Sequence, residues 1–105
     1  MGIQITASEG VGRVLIDGEV VVSTVADIKT GLQEALRQYR ETEVDLGGVE
    51  EMDTAGLQLM LAAKRCADSE VRLVNHSAAV LRMLELANLG QQLGDPLLIR
   101  SVDAA

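Results

Sequence analysis

The chain has 105 residues, 48% of them hydrophobic, with a net charge of −7 at neutral pH and Tyr39 as its single aromatic residue. That apolar share suits one globular core of Leu, Val, Ile, Met and Ala, and the length leaves little room for a second domain. The negative charge opposes a nucleic-acid backbone or an anionic membrane, and the missing aromatic rings remove a base-stacking platform. No apolar run approaches the roughly 20 residues needed for direct membrane insertion.

At the N-terminus, Met1 to Thr6 lacks the charged and apolar regions of a secretory signal, which points to a cytoplasmic protein. Residues 3–6, Ile-Gln-Ile-Thr, alternate apolar and polar as a half-buried strand does. Glu9-Gly10-Val11-Gly12 is a turn signal leading into a second strand, Arg13-Val14-Leu15-Ile16, so the two are expected to pair as a hairpin. Asp17-Gly18 then breaks the run, with a short apolar stretch Val20-Val21-Val22 beyond it.

The spacing of Val25, Ile28, Leu32, Ala35, Leu36 and Tyr39 predicts an amphipathic helix with one face on a sheet. Ser23 or Thr24 is placed to cap it, with Asp27 three residues beyond Thr24 in a capping-box-like position. Glu43-Val44-Asp45-Leu46 reads as a short strand stopped by Gly47-Gly48. A second helix is expected from the Asp53-Thr54-Ala55-Gly56 junction through about Ala67, apolar nearly all round and so deeply buried or apolar on a second face. Residues 71–74 form a further strand, and Ser77 caps a third helix from Ala78 to Leu89, with Gly90 as its stop. Leu97-Leu98-Ile99 reads as a last edge strand. Strands alternating with helices imply parallel pairing by right-handed crossovers. The expected fold is therefore α/β, a mixed and mostly parallel sheet of about four to five strands with three helices packed on it, as one domain over residues 1–105.

Residues that could carry catalysis are few. His76, the only histidine, reads as a polar turn residue before the third helix. Cys66, the only cysteine, reads as a small core residue; it excludes an internal disulfide and belongs to no metal-ligand cluster. Glu50, Glu51 and Asp53 crowd carboxylates near one turn and read as a solvated acidic loop beside a helix start. No phosphate-binding loop or dinucleotide glycine pattern is present. The chain is thus expected to be no enzyme and to need no cofactor or metal.

The segment Asp53-Thr54-Ala55-Gly56-Leu57 lies where the first N–H groups of a helix lack internal partners. Asp53 or Thr54 can cap those donors, contributing roughly 1 kcal/mol. Gly56 costs about 1 kcal/mol of helix propensity relative to alanine, so its presence suggests a close approach by another backbone or a crowded turn. A phosphoryl group on Thr54 would bring about −1.5 to −2 charges to a positive helix end that is already beside carboxylates. Such a change would alter a docking surface rather than unfold it.

These pieces together resemble the STAS family, named after sulfate transporters and anti-sigma-factor antagonists. The resemblance is carried by Leu15-Ile16-Asp17-Gly18-Glu19, Val44-Asp45-Leu46-Gly47-Gly48-Val49, Met52-Asp53-Thr54-Ala55-Gly56-Leu57 and the helix from Ser77 through Leu89, in order and at family spacing. It implies a protein-binding module in which Thr54 is phosphorylated by a partner serine/threonine kinase that is also the anti-sigma factor, or by another signalling kinase. On that resemblance Asp53, Thr54, Ala55, Gly56, Leu57, Gln58 and Glu19 form the partner-binding surface. The segment is also similar to STAS proteins of chemotaxis operons, and to the STAS subunit that binds the ABC ATPase of a bacterial lipid-asymmetry transporter. Two departures from the antagonist pattern stand out. The chain has Gly18-Glu19-Val20-Val21 where antagonists typically show Gly-Glu-Leu-Asp, and it ends soon after Ile99, before the closing helix common in that family.

Overall fold

In the computed structural model, which describes residues 2–66 and 69–87, the alternating N-terminal stretch forms a long hairpin. Its strands are β1 (Gly2–Ser8) and β2 (Val11–Val20), paired antiparallel without interruption from Ser8↔Val11 to Gly2↔Asp17. The two-residue turn has Glu9 at φ 54° and Gly10 at φ 83°, a type I′ signature whose twist matches the flanking strands. After β2 follow α1 (Val25–Gln38), β3 (Glu41–Met52), α2 (Thr54–Lys64), β4 (Glu70–Val74) and α3 (Ala78–Ala87). The sheet order is β1-β2-β3-β4, with β2–β3 and β3–β4 parallel.

Both crossovers move in the same direction along the sheet, so right-handed connections place α1 and α2 on one face. α3 packs beside α2 against the second half of β3. The core fills the space between these layers. Val14, Ile16, Val44, Leu46, Val71 and Leu73 from the sheet meet Ile28, Leu32 and Ala35 of α1 and Leu57, Met60 and Leu61 of α2, all buried. The α1 stripe read from the sequence is the buried one, with Val25 and Leu36 packed at its margin. The opposite sheet face is polar: Glu43 lies 3.3 Å from both Arg13 and Arg72, an exposed arrangement worth little to stability.

Three expectations about boundaries are corrected. β3 does not stop at Gly47-Gly48 but runs on to Met52, because β2 continues to pair with it through two register shifts. Leu15 faces Asp45 and Asp17 faces Gly48, so β3 gains one residue over β2 at Leu46-Gly47; a second is gained at Glu50. The glycine pair is thus a bulge that bends the strand rather than a turn that ends it. β2 likewise passes through Asp17-Gly18, with Gly18 at φ 82°, and takes in Val20, while Val21 and Val22 leave the sheet. α2 ends at Lys64, earlier than Ala67.

The cap of α1 also differs. Thr24 occupies the N-cap position without capping the helix; its hydroxyl instead lies 2.8 Å from the Glu19 carbonyl and accepts from the Val21 N–H at 3.0 Å. Ser77 caps α3 as read, accepting from the Val80 N–H at 3.3 Å. The end of the third helix at Leu89, the stop at Gly90 and the strand at 97–99 lie outside the described residues. Leu46 is fully buried beside the first bulge. Leu46→Ala is expected to cost about 2–5 kcal/mol, read as a lower urea midpoint with an unchanged slope.

Candidate functional site

The candidate surface is built where β2 and β3 end together. Val20 pairs with Met52 and Glu19 with Glu51, so the sheet carries Glu19 to the segment that enters α2. Asp53, extended at φ −115° and ψ −171°, is the N-cap residue of α2. Its Oδ1 accepts the Gly56 N–H at 3.1 Å, and its Oδ2 accepts the Val22 N–H at 3.0 Å. The Asp53 N–H in turn donates to the Val20 carbonyl at 3.3 Å. One residue therefore ties the end of β2, the loop before α1 and the start of α2 together.

These contacts account for the charge state of Asp53. The hydrogen bond from the Val22 N–H is the main reason its carboxyl sits below the usual carboxylate range; partial desolvation opposes this, and the Gly56 N–H adds to it. The positive end of α2 favours the same ionised form.

Gly56 has the close approach that its cost in helix propensity implied. A Cβ there would overlap the Val20 carbonyl oxygen and come within 2.9 Å of the Val20 side chain. The residue lets the start of α2 lie directly on the end of β2.

The seven residues read as a partner surface fall into two groups. Glu19, Thr54 and Gln58 are exposed, and Asp53 and Ala55 are half-buried. Gly56 and Leu57 are buried, Leu57 within the core, so they shape the surface from beneath. Thr54 is the first residue of α2 and presents its side chain to solvent. Glu50 and Glu51 are exposed as expected, but they belong to β3 rather than to a loop.

Val22 was not singled out by sequence reasoning. Its part in the site is a backbone N–H, which leaves no side-chain signature, although its own side chain is 73% exposed at the rim. Leu86 of α3, 77% exposed, also went unnoticed; with Met83, Ala79 and Arg82 it lines a groove against Glu50, Glu51 and Met52.

His76 and Cys66 do not join this site. His76 lies in the turn between β4 and α3, as read, but is buried there. Cys66 lies half-buried in an open cleft with Arg37, Tyr39, Arg40 and Ser69. No group of three His, Cys, Asp or Glu residues among those described is arranged to hold a metal ion. No helix among the described residues is long and apolar enough to cross a membrane.

The fold, a mixed four-stranded sheet with three helices, is shared with solved anti-sigma-factor antagonists. An antagonist from Mycobacterium paratuberculosis superposes with a TM-score of 0.78 at 20% identity, over 97% of this chain and 91% of that one. The Bacillus antagonist SpoIIAA is similar in its unphosphorylated form, with a TM-score of 0.68, 17% identity, and 98% of this chain and 95% of that one covered. Its phosphorylated form gives a TM-score of 0.64 at the same identity, with 98% of each chain covered. No curated protein sequence matches this chain. The family model described as "Mlab, STAS domain" matches residues 3–100, and the chain belongs to that STAS family.

Two measurements test this junction. Gly56→Ala is expected to destabilise the fold by about 1–3 kcal/mol despite its better helix propensity, since the Val20 backbone has to move; a denaturant midpoint at or above wild type would contradict the close approach. The second is a pH series. A carboxyl whose folded pKa lies below its unfolded value stabilises the fold above the unfolded pKa and loses that effect as pH falls through the folded one. The stability difference between wild type and Asp53→Asn is therefore expected to be constant near neutrality and to shrink below about pH 4.

Proposed function

We propose that this chain is a non-enzymatic, cytoplasmic signalling module of the anti-sigma-factor-antagonist kind. It binds a kinase or anti-sigma-type protein partner and is switched by phosphorylation of Thr54. The observation that carries this reading is the exposed Thr54 side chain on the first residue of α2, directly after the capping aspartate. A kinase needs a hydroxyl it can reach on a backbone that holds still, and the two Asp53 hydrogen bonds supply the second condition. That SpoIIAA has been solved in a phosphorylated and an unphosphorylated form supports the same reading.

The electrostatics say how such a switch acts. A phosphoryl group adds about −1.5 to −2 charges, favoured by the helix end and opposed by neighbouring carboxylates. Asp53 adjoins Thr54 in the chain, and the Glu19–Glu51 pair flanks the junction. The fold survives, while the face formed by Glu19, Asp53, Thr54, Ala55 and Gln58 over Gly56 and Leu57 becomes more negative. A partner fitted to the unmodified face is then released.

A second reading rests on a different observation. Val22 and Leu86 are the two most exposed large apolar side chains among the described residues, and the Leu86 groove borders the same end of β3. Such a surface binds without any modification. It suits a subunit that binds and regulates an ABC transporter ATPase of the lipid-asymmetry type.

Incubation with the cognate kinase and MgATP is expected to add one phosphoryl group by intact mass, and Thr54→Ala to remove the product. No mass gain with an active kinase overturns the switch. Stable co-purification with an ABC ATPase, equal for wild type and Thr54→Ala, selects the second reading.

A further inference from the structure

Between Val20, the last residue of β2, and Val25, the first of α1, the chain turns within four residues. Two successive peptide units of that turn are held on both edges. In the Val20–Val21 unit, the carbonyl accepts the Asp53 N–H at 3.3 Å, and the Val21 N–H donates to the Thr24 hydroxyl at 3.0 Å. In the Val21–Val22 unit, the Val22 N–H donates to Asp53 Oδ2 at 3.0 Å, and the carbonyl accepts the Thr24 backbone N–H at 2.8 Å. A peptide unit is planar and trans, so its N–H and C=O point in opposite directions. Asp53 therefore holds one edge of each plane and Thr24 the other.

The Thr24 hydroxyl completes this hold by donating to the Glu19 carbonyl at 2.8 Å, one peptide unit further back along β2. That commitment explains why Thr24 occupies the N-cap position of α1 without capping it. A threonine there ordinarily accepts an N–H of its own helix. Its short side chain also reaches nearby backbone groups, and here the preceding turn takes the hydroxyl instead.

We infer that Thr24 is a positioning residue for the Thr54 junction: its hydroxyl fixes the peptide units against which Asp53 is set, and Asp53 in turn fixes the first turn of α2. Its bearing on modification rests on the reading of Thr54 as the phosphoacceptor, whereas its bearing on Asp53 does not. The contacts run from Thr24 through Val21 and Val22 to Asp53 and Gly56 without a break, all among the described residues. Thr24 acts on Thr54 through Asp53.

Thr24→Val keeps the shape of the side chain and removes the hydroxyl, while Thr24→Ser keeps the hydroxyl. A nuclear magnetic resonance titration of the Asp53 carboxyl reads the contact from its far end. With the Val22 N–H less firmly placed, Asp53 is expected to titrate higher in Thr24→Val, closer to the usual carboxylate range, and as in wild type in Thr24→Ser. Glu19 on β2, Glu51 on β3 and Asp27 in the first turn of α1 carry the charges of the flanking elements. They are the same in all three proteins, so their field cancels. A general loss of stability leaves the folded carboxyl, and hence its midpoint, as it was. An unchanged Asp53 midpoint in a folded Thr24→Val overturns the proposal, and so does a Thr24→Ser that behaves like Thr24→Val.

Should Thr24→Val fail to fold, the coupling is read in reverse, because it is reciprocal. Asp53→Asn is expected to speed amide exchange at Val21 by about 5-fold or more relative to Ile16 inside β2, the lower end of ordinary coupling. No change at Val21 overturns the proposal. With a kinase that modifies wild type, Thr24→Val is expected to lose about 10-fold in kcat/KM, as a misplaced reacting group does, and Thr24→Ser to keep it. Equal rates for wild type and Thr24→Val overturn the proposal. A wild type that takes no phosphoryl group from an active kinase sinks the reading of Thr54 alone, and the titration still decides the role of Thr24.

Discussion

The Asp53 carboxylate joins two segments that lie 31 residues apart in the chain, the loop before α1 and the first turn of α2. Both oxygens are committed, one to Val22 and one to Gly56, and the residue's own N–H is held by the end of β2. A carboxylate is suited to this because it accepts from several directions at once and is favoured at the positive end of a helix. The close contact at Gly56 is the steric counterpart of that bond, since it lets α2 start directly against Val20. The position of Thr54 follows from these two constraints, and so does the direction in which α2 leaves the sheet.

From α2 the dependence spreads into the core. Leu57, Met60 and Leu61 are buried because α2 packs on β3 and β4 beside α1, and their contacts hold the helix from the inside as Asp53 holds it from the end. The exposed and buried halves of the junction therefore have separate tasks. Gly56 and Leu57 set its shape from beneath, while Glu19, Thr54 and Gln58 stand exposed at its surface. In a chain of net charge −7 that surface is acidic as it stands, and the phosphoryl group proposed for Thr54 would deepen an existing field rather than create one. A rigid backbone beneath such a surface favours recognition by charge and shape over recognition by refolding.

β3 is the other element on which the arrangement turns. Two extra residues relative to β2 bend it after Asp45, which brings Glu51 beside Glu19 and delivers Asp53 to the end of β2. A regular strand of the same length would displace that register, and a one-residue slip exchanges the faces of every following side chain. The bulges also set the second half of β3 against α3, opening the groove that exposes Leu86.

Much of this was legible in the residues. The helix stripe from Val25 to Tyr39, the hairpin around Glu9-Gly10 and the cap at Ser77 are local features, in which periodicity or one hydrogen bond decides the outcome. The Asp53 junction was visible for the same reason, as a capping residue followed by a costly glycine. The run-on of β3 through Gly47-Gly48 was not, because local propensity reads a glycine pair as a stop, whereas the ladder to β2 holds the strand extended across it. Thr24 went to the Glu19 carbonyl rather than to its own helix once the end of β2 came within reach. Chain-local physics thus determined most of the elements, the class of fold and that Thr54 lies at the start of a helix, directly after its capping residue. Only tertiary structure decided that Val22 is the second partner of Asp53, that Glu19 stands beside Glu51 and that Leu57 lies within, because each depends on which segments the sheet brings together.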